Sequence, residues 1–189
     1  MNASTAGDAI AAVRFAQQHN IRLVIKSTGH DLLGRSSGSG SLSIWMHSFK
    51  EITIFENFTA RYEHNDYYQG PAARIGTGLV AYEVFEATKK KGLRVLGGTC
   101  PSVSIGGGYT SGGGHSLLST KYGLSADNVL EWDVVTASGQ RVTATPSQNT
   151  DLYWALSGGG TGVFAIIISV VVKAFPDGII SSAAITFNA

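Results

Sequence analysis

Three side chains in this sequence combine reactive chemistry with neighbouring glycines. Cys100, the only cysteine, lies near the head of the stretch from Leu96 to His115, and His115 closes it. His30 follows a predicted strand and is flanked by Gly29 and Asp31. A thiolate is a nucleophile, and an imidazole is a base, nucleophile or metal ligand. A zinc site needs three or four ligands in clustered spacing, which Cys100, His30 and His115 do not offer. A Cys–His nucleophilic dyad is open in principle. Against it, Pro101 follows the cysteine directly, and no helix N-terminus is predicted there to lower the thiol's pKa. Read alone, Cys100 is a small buried hydrophobe and His30 a surface or capping residue. His19, His47 and His64 have no motif around them.

The glycines carry more. Eight of the 24 fall between Leu96 and His115, and four more between Gly158 and Gly162. With no Cβ in the way, glycine lets backbone N–H groups approach a ligand, and successive N–H groups make nests for anions. Plain linkers are the other reading, but both runs adjoin strongly apolar strands, which favours a ligand cradle. Gly160-Thr-Gly-Val-Phe-Ala165 half-matches the dinucleotide fingerprint. That motif must follow a strand and open a helix, whereas here a predicted helix precedes it and a β-branched strand follows. The Ser/Gly tract from Gly34 to Ser41 is either a tight ligand-facing loop or a short linker.

The elements that must hold these residues are legible from periodicity. Thr5-Ala-Gly-Asp8 reads as a capping box, and Ala9, Ala12, Val13 and Ala16 form one helical face. Strands are predicted over Ile21–Ile25 and Leu42–Met46. Ile52–Phe55 and Arg61–His64 read as paired strands with Asn57 and Phe58 in the turn, and Ala73–Gly76 as a further strand. Leu79–Lys91 reads as a helix with Val80, Ala81, Val84, Phe85 and Thr88 inward, stopped by Gly92. Short helices are expected over His115–Tyr122 and Asp151–Leu156, and strands over Val129–Ala137, Gln140–Thr143 and Val163–Val172. Pro176-Asp-Gly178 is a turn, and Ile179–Ala189 looks like the start of another strand. A break near Gly70-Pro71 suggests two lobes. The mixture fits an α+β or α/β class.

With 43% hydrophobic and 14% charged residues the chain can bury a sizeable core. A net charge of +1 gives no strong pull toward nucleic acid, and Lys89-Lys90-Lys91 reads as the solvated end of a helix. The most apolar run, Val163–Val172, is too short to span a bilayer. Neither nucleic acid nor membrane is expected as a partner. The N-terminus is polar and carries no signal peptide. A lone cysteine makes no internal disulfide and leaves the redox compartment open. Asn2-Ala-Ser4 and Asn57-Phe-Thr59 match the glycosylation sequon, a pattern frequent by chance.

Four segments, in order, carry a family resemblance: Ser27-Thr-Gly-His-Asp31; Gly97-Gly-Thr-Cys-Pro-Ser-Val103 with Gly106-Gly-Gly-Tyr-Thr-Ser-Gly-Gly-Gly-His115; Lys121-Tyr-Gly-Leu-Ser-Ala-Asp-Asn-Val129; and Leu152-Tyr-Trp-Ala-Leu-Ser-Gly-Gly-Gly-Thr-Gly162. Together they resemble the flavin-binding domain of berberine bridge enzyme-like oxidases, within the vanillyl alcohol oxidase / p-cresol methylhydroxylase superfamily, and fungal members most of all. The resemblance implies an α+β, two-lobed FAD-binding domain of the p-cresol methylhydroxylase type, with lobes over 1–70 and 71–178 and the start of a substrate domain over 179–189. It implies FAD attached at two points, the 8α-methyl to His30 and ring carbon C6 to Cys100. It places Ser27, Thr28, Gly29 and Asp31, Gly97 and Gly98, Val103, Ser104, Gly106, Gly107 and Gly108, His115, and Gly159, Gly160 and Gly162 around the cofactor. Val103 matches the position that gates oxygen.

The implied activity is oxidation of an alcohol or similar C–H donor, with hydride transfer to the flavin and return of the electrons to O2 as hydrogen peroxide. The implied partners are a small-molecule substrate and O2. Family members are longer, so the chain is expected to be a fragment whose catalytic base lies in a missing substrate domain. The alternative is a flavin-binding module without catalysis. Secretion is implied by the resemblance alone.

Overall fold

Thr5 starts the first helix by a reciprocal pair of hydrogen bonds. Its Oγ1 accepts the Asp8 N–H at 3.1 Å, and the Asp8 carboxylate accepts the Thr5 N–H at 2.8 Å. Two of the otherwise free N–H groups at the helix start are thereby satisfied. Helix α1 (Ala6–Gln18) buries Ala9, Ala12, Val13 and Ala16, the face expected from their spacing. The computed structural model describes residues 1–62, 66–181, 183 and 185–187.

Strands β1 (Leu23–Lys26) and β2 (Leu42–Trp45) pair in parallel, Leu23 opposite Leu42. A parallel pair needs a crossover, usually a helix. Here the crossover is the loop over residues 27–41, which is free to face a ligand. Strands β3 (Ile52–Arg61) and β4 (Tyr67–Gly76) begin a larger sheet. Helix α2 (Ala81–Lys89) follows, with the short strand β5 (Leu93–Arg94) after it. Then come α3 (Ser119–Tyr122), β6 (Val129–Thr136), β7 (Arg141–Ala144), α4 (Thr150–Leu156), β8 (Ala165–Lys173) and β9 (Phe175–Pro176). The sheet order is β3-β4-β8-β6-β7, antiparallel throughout, while β5 pairs with β9.

Central β8 explains the long apolar run. It is covered on both faces, so alternation is lost. Ile166 and Ile168 meet Ala9, Val13 and Ile44 of the α1–β1–β2 layer. Ile167, Val170 and Val172 meet Ile75, Val84 and Trp132 on the other side. Burying each such aliphatic side chain stabilises by about 1.5–3 kcal/mol. The result is an α+β architecture.

Several local expectations change. Asn57 and Phe58 do not turn the chain. Strand β3 continues, and its register against β4 shifts between Phe55 opposite Ala72 and Phe58 opposite Gly70. Glu56 and Asn57 thus face Pro71 alone, a β-bulge. Pro71 has no N–H for the ladder, and its carbonyl accepts the Ala174 N–H from beyond β8 at 2.8 Å. The bulge also brings the Phe55 and Phe58 rings together, 5.1 Å between centroids. Gly70 and Pro71 lie inside β4, so the expected break there is a bulge in a paired strand. The helix expected from His115 begins only at Ser119 and stops at Gly123, φ 79°. No strand forms among the described residues after Pro176. Glu63, His64, Ser182, Ala184, Asn188 and Ala189, within two expected strands, lie outside the described residues.

Candidate functional site

The loop after β1 is stitched to the glycine segment through one carbonyl. Ser27 Oγ and Ser104 Oγ both donate to Thr77 O, at 2.5 and 2.7 Å. The Ser104 N–H donates to Thr28 Oγ1 at 3.3 Å. Beyond Ser104 the backbone makes a wide, irregular helical turn over Ile105–Tyr109. Buried Thr110 holds it, donating from Oγ1 to Ile105 O at 2.6 Å and lying 2.8 Å from Ser125 Oγ. Such widened turns recur at functional sites. The two glycine runs meet where the Gly160 N–H donates to Ser111 O at 3.1 Å.

These pieces line a cavity of about 670 Å³, and a separate polar cleft of about 460 Å³ lies beside Lys50 and Arg141. Of the residues expected around a cofactor, Ser27, Thr28, Gly29, His30 and Asp31 line the cavity from one side. Val103, Ser104, Gly107 and Gly108 line it from another, and Gly162 from a third. The rest do not line it. Gly97 is buried, and a Cβ there would meet the Phe85 ring at 2.5 Å; Gly98 lies by the Tyr109 ring. A Cβ on Gly106 would stand 2.8 Å from Ile75 O, so this glycine lets the segment rest on β4. Gly159 passes against Ala155 O after α4, and Gly160 takes a left-handed φ of +119°. His115 is exposed and offers only its carbonyl, which accepts the Tyr109 hydroxyl at 2.6 Å.

Cys100 does not line the cavity but is linked through Ser102 to His30, which does. Its Sγ is 3.4 Å from Ser102 Oγ, and Ser102 Oγ is 2.9 Å from His30 Nε2. The thiol is exposed, and the Ser102 hydroxyl, with the N–H groups of Ser102 and Val103, holds its pKa below the usual thiol value. No helix N-terminus lies there, as expected, but a turn supplies donors to the sulfur in its place.

Other lining residues carried no individual signal. Leu23, Ile25 and Ile167 add an apolar wall, Thr77 and Thr161 add hydroxyls, and Tyr109 adds a ring. Burial pushes the Tyr109 phenol up to about 12. Arg35, from the Ser/Gly tract, grips Asp31 with Nη2 at 2.6 Å and Nε at 3.0 Å. That pairing holds the Asp31 carboxyl below the usual range. Arg35 and Ser36 put the tract on the cavity wall, the ligand-facing alternative for it.

The donor set suits a flavin dinucleotide. The volume lies in the range of small-molecule and cofactor sites. The apolar wall suits a ring system, while glycine backbone, hydroxyls and Arg35 suit phosphate oxygens. A Cβ on Gly108 would press Thr161 Cγ2 at 3.1 Å, so the missing side chain leaves room at this wall.

Residues 1–145 match the family model described as an FAD binding domain. The chain belongs to this FAD-binding family. It is 52% identical over 188 residues to the VAO-type flavoprotein oxidase VAO615 of Thermothelomyces thermophilus, covering 100% of this chain and 32% of that relative. The crystal structure of the VAO-type flavoprotein MtVAO615 from Myceliophthora thermophila C1 superposes with a TM-score of 0.89 at 53% identity, over 93% of this chain and 31% of that one. The BBE-like 1 protein of Physcomitrella patens superposes at 0.81 with 28% identity, over 93% of this chain and 36% of that one. The FAD-binding chain therefore shares its α+β fold with VAO-type and BBE-like flavoproteins, and spans about a third of the length of these relatives.

Proposed function

We propose that this chain is the FAD-binding part of an oxidase that holds its flavin through both His30 and Cys100. The observation that carries the reading is the meeting of these two residues at one Ser102 hydroxyl beside the cavity. With Nε2 engaged by Ser102, His30 keeps Nδ1 for a bond to the flavin. FAD held there would supply hydride acceptance from a small-molecule alcohol or similar C–H donor, with return of the electrons to O2 as hydrogen peroxide. The chain's own residues orient the ring. His30 and Cys100 would hold one edge, Val103 and Tyr109 would lie beside it, and the glycine backbone with Arg35 would hold the diphosphate.

The test is made on the full chain. A yellow colour that survives acid precipitation, with an FAD mass on peptides containing His30 and Cys100, supports the attachment; colourless protein overturns it. Peroxide release on a panel of sugars and alcohols reports turnover. A second reading, FAD binding without turnover by this chain alone, is favoured by its coverage of only 32% of the VAO615 relative. Attached flavin with no peroxide would select it.

A further inference from the structure

We propose that Ser102 is a positioning residue that sets the proton arrangement of both flavin anchors at once. This rests on the two-point attachment proposed above. A hydroxyl has one proton to donate and lone pairs to accept with. Ser102 Oγ lies between two groups that each need a definite proton state, His30 Nε2 at 2.9 Å and Cys100 Sγ at 3.4 Å. Two arrangements place the Ser102 hydroxyl proton between these groups. In one, Ser102 accepts from Nε2–H and donates to the sulfur. His30 then has a bare Nδ1 lone pair, and Cys100 is favoured as the thiolate, so both are nucleophiles. In the other, Cys100 S–H donates to Ser102, which donates to Nε2. Nδ1 then carries the proton and neither group can attack.

The surroundings favour the first arrangement. The N–H groups of Ser102 and Val103 also act on the sulfur, and all three contacts stabilise the thiolate. The charged groups on the facing loop do not oppose it. Asp31 is occupied by Arg35, and the Lys26 ammonium lies alongside Gly29, next to His30.

The chemistry balances. Attachment at His30 forms a C–N bond while a methyl C–H and the imidazole N–H are lost, and the Nε2 proton leaves through the Ser102 oxygen. Attachment at Cys100 forms a C–S bond while a ring C–H and the S–H are lost, the thiol proton going to solvent. Each attachment releases two electrons and two protons, which O2 takes up as hydrogen peroxide.

The experiment compares the full chain as wild type, Ser102→Ala and Ser102→Thr, each produced with FAD. Peptide mass spectrometry gives the fraction attached at both residues. We expect that fraction to fall about tenfold in Ser102→Ala, the effect of one hydrogen bond to a charged group. The variant should keep FAD that acid releases. Ser102→Thr, which retains the hydroxyl, should match wild type. Undiminished double attachment in Ser102→Ala, or loss in Ser102→Thr equal to that in Ser102→Ala, overturns the proposal.

If wild type itself carries no attached flavin, two-point attachment fails, and Cys100 alkylation by iodoacetamide against pH decides for Ser102. A profile shifted to acid in wild type and Ser102→Thr, and shifted back in Ser102→Ala, supports the proposal. Matching profiles in all three overturn it.

Discussion

Ser27 and Ser104, on segments far apart in the sequence, donate to the same carbonyl, Thr77 O. Thr77 is 2% exposed, so its carbonyl depends on them rather than on water. Either serine alone keeps the carbonyl satisfied; losing both leaves a buried acceptor without a partner. Ser27→Ala and Ser104→Ala should each cost about 1 kcal/mol or less, and the double variant about 0.5–1 kcal/mol more than their sum. A double-mutant cycle by urea unfolding measures this. Additivity would show that the two hydroxyls do not share one acceptor.

Gly106 and Gly108 are two residues apart and should respond differently to alanine. A Cβ on Gly106 meets the carbonyls of Ile75 and Gly76 at 2.8 and 2.9 Å, backbone that the central sheet fixes in place. Gly106→Ala should destabilise by about 1–3 kcal/mol. A Cβ on Gly108 meets only Thr161 on the cavity wall, at 3.1 and 3.2 Å, contacts that a shift of a few tenths of an ångström in that loop relieves. Gly108→Ala should cost less than about 1 kcal/mol in stability yet lower the FAD retained per chain. Thermal unfolding and the ratio of flavin to protein absorbance separate the two effects.

Tyr109 and Tyr153 are pushed up to about 12, in each case chiefly by burial. Their phenols ionise more readily in the unfolded chain than in the folded one. The stability they contribute is therefore fully present below pH 10 and is lost as pH rises from 10 through about 12. Tyr109→Phe and Tyr153→Phe should each flatten this alkaline decline. Each should also cost about 1 kcal/mol at neutral pH, from the hydrogen bonds to His115 O and Val129 O. Unfolding free energy followed from pH 8 to pH 12 provides the check.

What the sequence revealed was local. Thr5 and Asp8 are three residues apart, and a cap and a stripe of alanines are written within one helix. The two glycine runs showed themselves by composition. What it hid was pairing between distant segments. Nothing near Asn57 says that Pro71 will stand opposite it and turn an expected hairpin into a bulge. Gly106 and Gly107 read alike in sequence, yet one rests on strand carbonyls and the other lines the cavity. Ser102 lies within Gly97–Val103 with no role legible from its neighbours, because His30, its partner, is 72 residues earlier.

The cavity draws its walls from residues 23–36, from Thr77 and residues 103–109, and from residues 161–167. Its last wall is also the start of β8, the strand that joins β4 to β6. A ribosome must therefore release the chain past residue 167 before any cofactor pocket exists. Flavin capture therefore waits on β8, and translation that stalls before this strand yields a polypeptide without the pocket's last wall.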